Sequence, residues 1–310
     1  MSASARLFCL DSVMIDIVLR IAELPKSGAD VLATEHLITT GGGYNAMSAA
    51  ARQGVSAIYA GRLGRGPFSS IARSSLEQDN VGEPVDADET RDAGFCVAMI
   101  DDEGERTFIT SPGAEGSLRY SDLLSLDVRS GDYVLLSGYN VMYPGSAEVA
   151  LEWLATLSED VVVAFDPSNR VMDIPQENLV RVLERADWTL CNESEASLLT
   201  GEESLDDSVA TLAQRTGRTG VVVRHGASGC TVLMKGEEPV PVYSFEVTVV
   251  DTNGAGDTHS GVFLAELALG TAVIESARRG NAAAAMAISV LGPASCPERD
   301  VISSMIQHSP

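Results

Sequence analysis

The residues most able to do chemistry lie in one stretch, Asp251-Thr-Asn-Gly-Ala-Gly-Asp257, between an apolar-alternating run at 245–250 and a long helical pattern. Small residues in a turn that opens a helix let backbone N–H groups close on an anion, and a helix N-terminus favours negative charge. Transfer of a phosphoryl group needs such donors around the migrating phosphorus, and the amides of Gly254, Ala255 and Gly256 would supply them. It also needs a base for the attacking alcohol. Asp257, in the first helical turn beside those amides, carries the right group. The bland alternative is a strand–turn–helix in which Asp257 merely complements the helix dipole.

Three further stretches add weight to the chemical reading. Gly41-Gly-Gly-Tyr-Asn45 runs into an Ala-rich helical pattern, so a polyhydroxylated ligand could lie near bare backbone while Asn45 donates and accepts. Asn192-Glu-Ser-Glu195 follows a β-rich run, and ligands bind at the carboxyl ends of parallel strands. Asn192 and Glu195, one helical turn apart, could hold a magnesium–water shell, or simply cap a helix in the S/T/N-x-x-E manner. Val221-Val-Val-Arg-His-Gly-Ala-Ser-Gly229 and Asn281 of a late helix could border a flat base, with Arg224, Gly226 and Gly229 at the turn. Hairpin and helix packing would explain both equally well.

The elements that must position these groups alternate along the chain. Strand patterns fall at 6–10, 57–60, 133–137, 161–166, 188–191, 221–224 and 230–233. Helical patterns fall at 45–53, 67–78, 146–157, 193–199, 205–216, 255–269 and 273–290. Strands separated by ten or more helical residues imply βαβ units and a mainly parallel sheet with helices on both faces. Segments 13–39 and 94–110 break this rhythm with β patterns lacking a long helix. The second holds the turn sequence DDEGERT, so an antiparallel flap serving as a small β-sheet lid is expected on a single domain spanning 1–310.

Composition excludes several classes. A formal charge of −23 disfavours nucleic acid and anionic membrane as partners. Five scattered cysteines without CxxC spacing read as reduced thiols, and Asp11 and Asp16 interrupt any signal-peptide core, so a cytoplasmic protein is expected. No GxxxxGK[ST] occurs, and Lys26 and Lys235 follow no suitable glycine loop, which excludes a P-loop kinase. Gly61-Arg-Leu-Gly-Arg-Gly66 has the wrong order for a dinucleotide fingerprint.

Taken together, these segments resemble the PfkB (ribokinase-like) carbohydrate kinase family over essentially the whole chain. Gly42 through Asn45 and Gly54 to Gly64 match one signature; Asp251 through Asp257 to Gly261 match the second. The resemblance implies a ribokinase-like α/β fold with a β-sheet lid, and a phosphotransferase acting from ATP, with Mg²⁺ and in some members K⁺, on a hydroxymethyl group of a small sugar of ribose, ketose or aldonate type. It implies Asp257 as base with Gly254, Ala255 and Gly256 as anion hole, and Asp16, Gly42, Gly43 and Asn45 on the acceptor. Arg170, in Asp166-Pro-Ser-Asn-Arg170, is a further acceptor or phosphate contact. Asn192, Glu195, Arg224, Gly226, Gly229 and Asn281 would serve ATP, Glu195 holding Mg²⁺ through water. Asp251, Asn253, Ala287, Val290 and Gly292 would form the monovalent-cation loop, mostly through their carbonyls. A homodimer through the lid is a further expectation.

Departures bear on the acceptor. Met14 stands where ribokinases tend to carry Asn, which tilts the expectation toward an acceptor with a less polar part, such as a nucleoside. Met47 and Val262 replace small residues and are expected to change packing only. Arg106 reads as an exposed hairpin charge. A non-catalytic sensor of a sugar or nucleotide is the remaining alternative.

Overall fold

The computed structural model describes residues 4–103 and 105–308. Its strands are β1 (Arg6–Leu10), β2 (Val13–Arg20), β3 (Glu35–Gly42), β4 (Ser56–Tyr59), β5 (Phe95–Ile100), β6 (Arg106–Ser111), β7 (Tyr133–Ser137), β8 (Val162–Asp166), β9 (Trp188–Asn192), β10 (Gly220–Arg224), β11 (Cys230–Met234) and β12 (Val240–Val242).

Successive residues of the central strands enter different cores. Val221 and Val223 pack with Val134, Leu136, Val163 and Phe165 on one face. Val222 packs with Leu135, Ala164 and Leu190 on the other. A strand buried on both faces is the signature of a sheet sandwiched between helices. The strand order is β12-β11-β10-β9-β8-β7-β1-β4, with β4 through β10 parallel and β11 and β12 antiparallel at one edge. Helices Ala147–Thr156, Gln176–Arg185 and Leu205–Arg215 cover the first face, and Gly43–Arg52, Pro67–Gln78 and Ala255–Ala268 the second. None of the helices is long and apolar enough to cross a membrane, among the described residues.

The two segments without long helices build a separate four-stranded sheet, β3-β2-β5-β6. One expectation is corrected here. The flap is not wholly antiparallel, because its central strands β2 and β5 run parallel. They can do so because β3, β4 and two helices intervene between them in the chain. In register, Asp16 pairs with Cys96 and Cys96 with Thr110; Val18 pairs with Ala98 and Ala98 with Phe108. Met14, Asp16, Cys96, Ala98, Arg106, Phe108 and Thr110 therefore share the face that overhangs the large sheet. The DDEGERT turn includes Gly104, which lies outside the described residues.

Most elements fall within a residue or two of the positions the sequence suggests. The run 245–250 does not form a strand: its residues pair with none, and Val249 and Val250 are more than half exposed. The helices Tyr120–Leu124, Gly138–Met142, Gln176–Arg185 and Arg299–His308, and the strand β12, were not foreseen.

Candidate active site

Parallel strands deliver their carboxyl ends to one edge of the large sheet. Asp11 follows β1, Ser137 ends β7, Asp166 ends β8, Asn192 ends β9 and Arg224 ends β10. The smaller sheet covers this edge because β1 passes into β2 through only Asp11 and Ser12.

Asp257 is fixed from two directions. Gly254 adopts φ +74° and opens the helix Ala255–Ala268, which places the carboxylate in its first turn. From the other side, Asn45 Nδ2 donates to Asp257 Oδ2 at 2.9 Å. The two groups meet because their helices pack backbone to backbone. A Cβ on Gly261 would lie 2.2 Å from the carbonyl oxygen of Ala46, so only glycine allows this approach.

The glycine run at 41–43 seats two more carboxylates. A Cβ on Gly41 would come 2.3 Å from Asp16 Oδ2, and one on Gly43 would come 2.6 Å from Asp11 Cβ. Gly42, at φ +64°, bends β3 into the helix Gly43–Arg52, and Gly43 N–H donates to Ser12 O at 2.9 Å. Asp11 accepts from Ser12 N–H at 2.6 Å, and Asp16 from Asn253 Nδ2 at 3.5 Å.

Two cavities meet at the Gly254–Asp257 turn. One, of about 710 Å³, is walled by Phe245, Val247, Val249, Ala284, Ala285 and Ile288, with Gly226, Gly229, His259 and Asn281 on its border. The run 245–250 thus lines a cleft, which accounts for its apolar alternation. The other, of about 670 Å³, lies under the smaller sheet and holds Asp11, Asp16, Gly42, Asn45, Asp166, Arg170, Glu195 and Asp257. Asn192, Arg224, Thr252, Ala255 and Gly256 line both. A linear molecule spanning the cavities would pass the anion-binding turn.

Arg224 gives that junction its positive charge. Its Nη1 donates to Ser260 Oγ at 2.7 Å, and its Nη2 to Asp166 Oδ2 at 3.3 Å. A Cβ on Gly256 would lie 3.3 Å from Arg224 Nη2, so the guanidinium rests against the turn itself. Asn192 and Glu195 form the reciprocal cap, each side chain accepting the other's N–H at 2.8 Å. The cap uses Glu195 Oε2 and leaves its other oxygen to the cavity. Asn281 Nδ2 donates to Val242 O at 2.9 Å and holds the chain beyond β12 against the apolar cleft. Gly226 and Gly229, both at positive φ, shape the turn after β10.

Burial sets the charge state of the carboxyls. It raises Asp257 to about 6, with the Asn45 hydrogen bond opposing the rise and the Asp166 charge adding to it. Asp11 is pushed up to about 7 by burial and then by the Asp257 charge. Burial alone lifts Asp16 to about 6, and burial with Asp166 lifts Glu195 to about 7. A carboxyl near 6 is a base of useful strength at neutral pH. His259 is held neutral, driven down to about 3 by burial and by Arg224.

Arg106 is not the exposed hairpin charge expected. It crosses from β6 to Asp251, Nη2 to Oδ1 at 2.6 Å, with its side chain only 28% exposed. The residues of the suggested cation loop do come together: Asp251 N–H donates to Ile288 O, and Gly292 N–H to Asp251 Oδ2 at 3.2 Å. Asn253 N–H adds a third donor to the carboxylate at 3.0 Å. The Asp251 carboxylate therefore has a positive partner and two amide donors. Arg170 reaches the cavity rim but pairs with Asp173 at 2.5 Å.

Sequence reasoning missed Asp11, Asp166, Ser260, Tyr139 and Tyr143, all of which line the polar cavity. Asp11 and Asp166 did carry a signal, as acidic residues just at the ends of apolar strands.

Comparisons with known proteins bear on the fold and the family. The chain is 29% identical over 303 residues to the uncharacterized sugar kinase YegV of Escherichia coli, covering 93% of this chain and 90% of that one. It is 30% identical over 303 residues to ribokinase of Mus musculus, with the same coverage of 93% and 90%. The structure of Arabidopsis thaliana ribokinase complexed with ribose and ATP superposes with a TM-score of 0.80 at 24% identity, covering 99% of this chain and 100% of that one. The fold is ribokinase-like. The family described as pfkB family carbohydrate kinase matches residues 4–300, a span that includes every residue of both cavities, and this chain belongs to it as a carbohydrate kinase.

Proposed function

We propose that the chain transfers the γ-phosphoryl group of ATP to a hydroxymethyl group of a small sugar, with Asp257 as base. The base and ribose of ATP occupy the apolar cleft between residues 245–249 and the helix Val273–Ala287. The acceptor occupies the polar cavity under the smaller sheet, which serves as a lid. The observation that carries this reading is the position of Asp257: it lies in the acceptor cavity, one residue from the turn that both cavities share.

In the reaction the acceptor O–H gives its proton to Asp257 as its oxygen bonds to the γ-phosphorus. The bond from that phosphorus to the β–γ bridging oxygen breaks, and ADP leaves. The amides of Gly254, Ala255 and Gly256, with Arg224 against them, stabilise charge on the migrating group. Asn45 aims the carboxylate and helps keep it ionised. A positioned base contributes about 10²–10⁴-fold, and alignment and electrostatics supply the remainder. The lid excludes water, which would otherwise take the phosphoryl group.

No cluster of three His, Cys, Asp or Glu side chains able to hold a metal occurs among the described residues. That suits Mg²⁺ bound chiefly by phosphate oxygens and water, with the free oxygen of Glu195 available to one such water. Bound there, Mg²⁺ would neutralise charge on the β- and γ-phosphates. Pairing of two copies through the lid is part of this reading, supported by exposed Ile38 and Ile109 on its outer face.

A nucleoside is the second acceptor this reading keeps, favoured by Met14, Met142 and the stacked rings of Tyr139 and Tyr143, whose centroids are 6.1 Å apart. Acceptor-dependent release of ADP, measured over a panel of sugars and nucleosides with Mg-ATP, tests the proposal. Release with one acceptor, and a new phosphomonoester signal by ³¹P NMR, supports it. Tight ATP binding without release for any acceptor would instead favour a sensor.

A further inference from the structure

The charge of the acceptor is legible in how the charged side chains of the polar cavity are paired. Three arginines line it, and each already has a carboxylate. Arg106 holds Asp251 at 2.6 Å, Arg170 holds Asp173 at 2.5 Å, and Arg224 holds Asp166 at 3.3 Å. Asp11, Asp16 and Asp257 face the same space and have only neutral donors: Ser12 N–H, Asn253 Nδ2 and Asn45 Nδ2. An anionic acceptor would therefore meet three carboxylates, with Arg106 and Arg224 held by partly buried partners and only the exposed, weakly paired Arg170 at the rim to offset them. A hydroxyl meets the same carboxylates as a donor meets acceptors.

We propose that this cavity selects an uncharged polyhydroxy acceptor, a free sugar or a nucleoside, over acceptors bearing a phosphate or carboxylate, and that Asp11 is a specificity-determining residue in that selection. The proposal rests on the phosphotransferase reading above and adds the charge class of the substrate. Asp11 is singled out by how it is seated. It ends the first strand, and the missing Cβ of Gly43 gives its side chain room, 2.6 Å from where that atom would stand. Burial, and then the Asp257 charge, push its carboxyl up to about 7. The transfer step does not use Asp11, yet its side chain is part of the lining of the acceptor cavity. Met14, Met142, Tyr139, Tyr143 and Phe108 add apolar contact to the same cavity.

The test compares matched pairs: ribose with ribose 1-phosphate, glucose with gluconate, and adenosine with adenosine 3′-monophosphate, which keeps the 5′ primary alcohol. ADP release gives kcat/KM for each member at saturating Mg-ATP. The wild type is expected to favour the neutral member of any pair it uses by at least about 100-fold. Asp11→Asn is expected to narrow that ratio about tenfold, mainly through a lower KM for the anionic member. Adenosine turnover without ribose turnover, or the reverse, identifies which neutral class fits and supports the proposal either way. Preference of the wild type for a phosphorylated or carboxylated acceptor would overturn it while leaving the kinase reading intact. If Asp11→Asn does not fold, the wild-type ratios still decide. Absence of ADP release with every acceptor would overturn both together.

Discussion

Asn45 and Asp257 are 212 residues apart in the chain, yet the side chain of one donates to the carboxylate of the other at 2.9 Å. The contact joins the two glycine-rich stretches into one site. A hydrogen bond to an ionised carboxylate is worth about 1.5–3 kcal/mol. Asn45→Ala is therefore expected to lower kcat/KM by roughly 10–100-fold, and to move the acid limb of the pH profile upward, because the bond it removes favours the ionised base. Steady-state kinetics from pH 5 to 9 checks both.

The pH dependences of activity and stability should run in opposite directions. Asp257 titrates at about 6, so kcat/KM should rise as pH increases through that value. Asp11, Asp16, Asp257 and Glu195 are all raised to about 6 or 7, above unfolded values near 4. A raised carboxyl favours the fold below its unfolded pKa, and that contribution is lost as pH rises through the folded one. Tm should thus fall between pH 5 and 8 while activity climbs. Glu266, held down to about 2 despite burial by Arg299, Thr271 and Arg279, acts in the other direction and costs stability only in stronger acid. Calorimetry over the same buffers as the kinetics makes the comparison.

Arg106 ties the lid to the loop that precedes the anion-binding turn. Arg106→Ala removes the positive partner of Asp251. Activity is expected to drop about tenfold, and K⁺ should restore part of it, whereas the wild type should change less than about twofold when K⁺ replaces a bulky ammonium ion. Initial rates in the two salts at matched ionic strength decide this.

Gly261 governs how near the two site-bearing helices come. A methyl group there would press on the backbone of Ala46, not on a movable side chain. Gly261→Ala should destabilise the protein by roughly 1–3 kcal/mol and lower kcat more than it raises the KM for ATP, since it displaces Asn45 from Asp257. Denaturant unfolding and kinetics on the same preparation separate the two effects.

What the sequence disclosed follows from where its signals are local. Val221-Val-Val is apolar at each position because both faces of β10 are buried, and that is visible without coordinates. The Gly254–Asp257 turn is equally local, since strand-end chemistry and helix opening occupy adjacent residues. Arg106 was misread because its partner lies 145 residues away, and nothing near it in the chain announces Asp251. Asp11 is marked locally only as an acidic residue ending an apolar strand; its place in the cavity depends on the room left by Gly43, at the start of a helix 32 residues on. The parallel pairing of β2 with β5 depends on intervening elements that a short window does not see. The run 245–250 has a strand-like alternation because one side faces a cleft, and a cleft wall and a sheet face impose the same period.

The most direct measurement is the turnover of Asp257→Asn beside its affinity for ATP, by single-turnover kinetics and calorimetry on one preparation. The substitution keeps the shape and the Asn45 contact but cannot accept the alcohol proton. Phosphoryl transfer should slow by at least about 10³-fold while ATP binds within a few-fold of the wild type, and Tm at pH 7.5 should rise because a buried charge is gone. Transfer within tenfold of the wild-type rate would contradict the assignment of Asp257 as base.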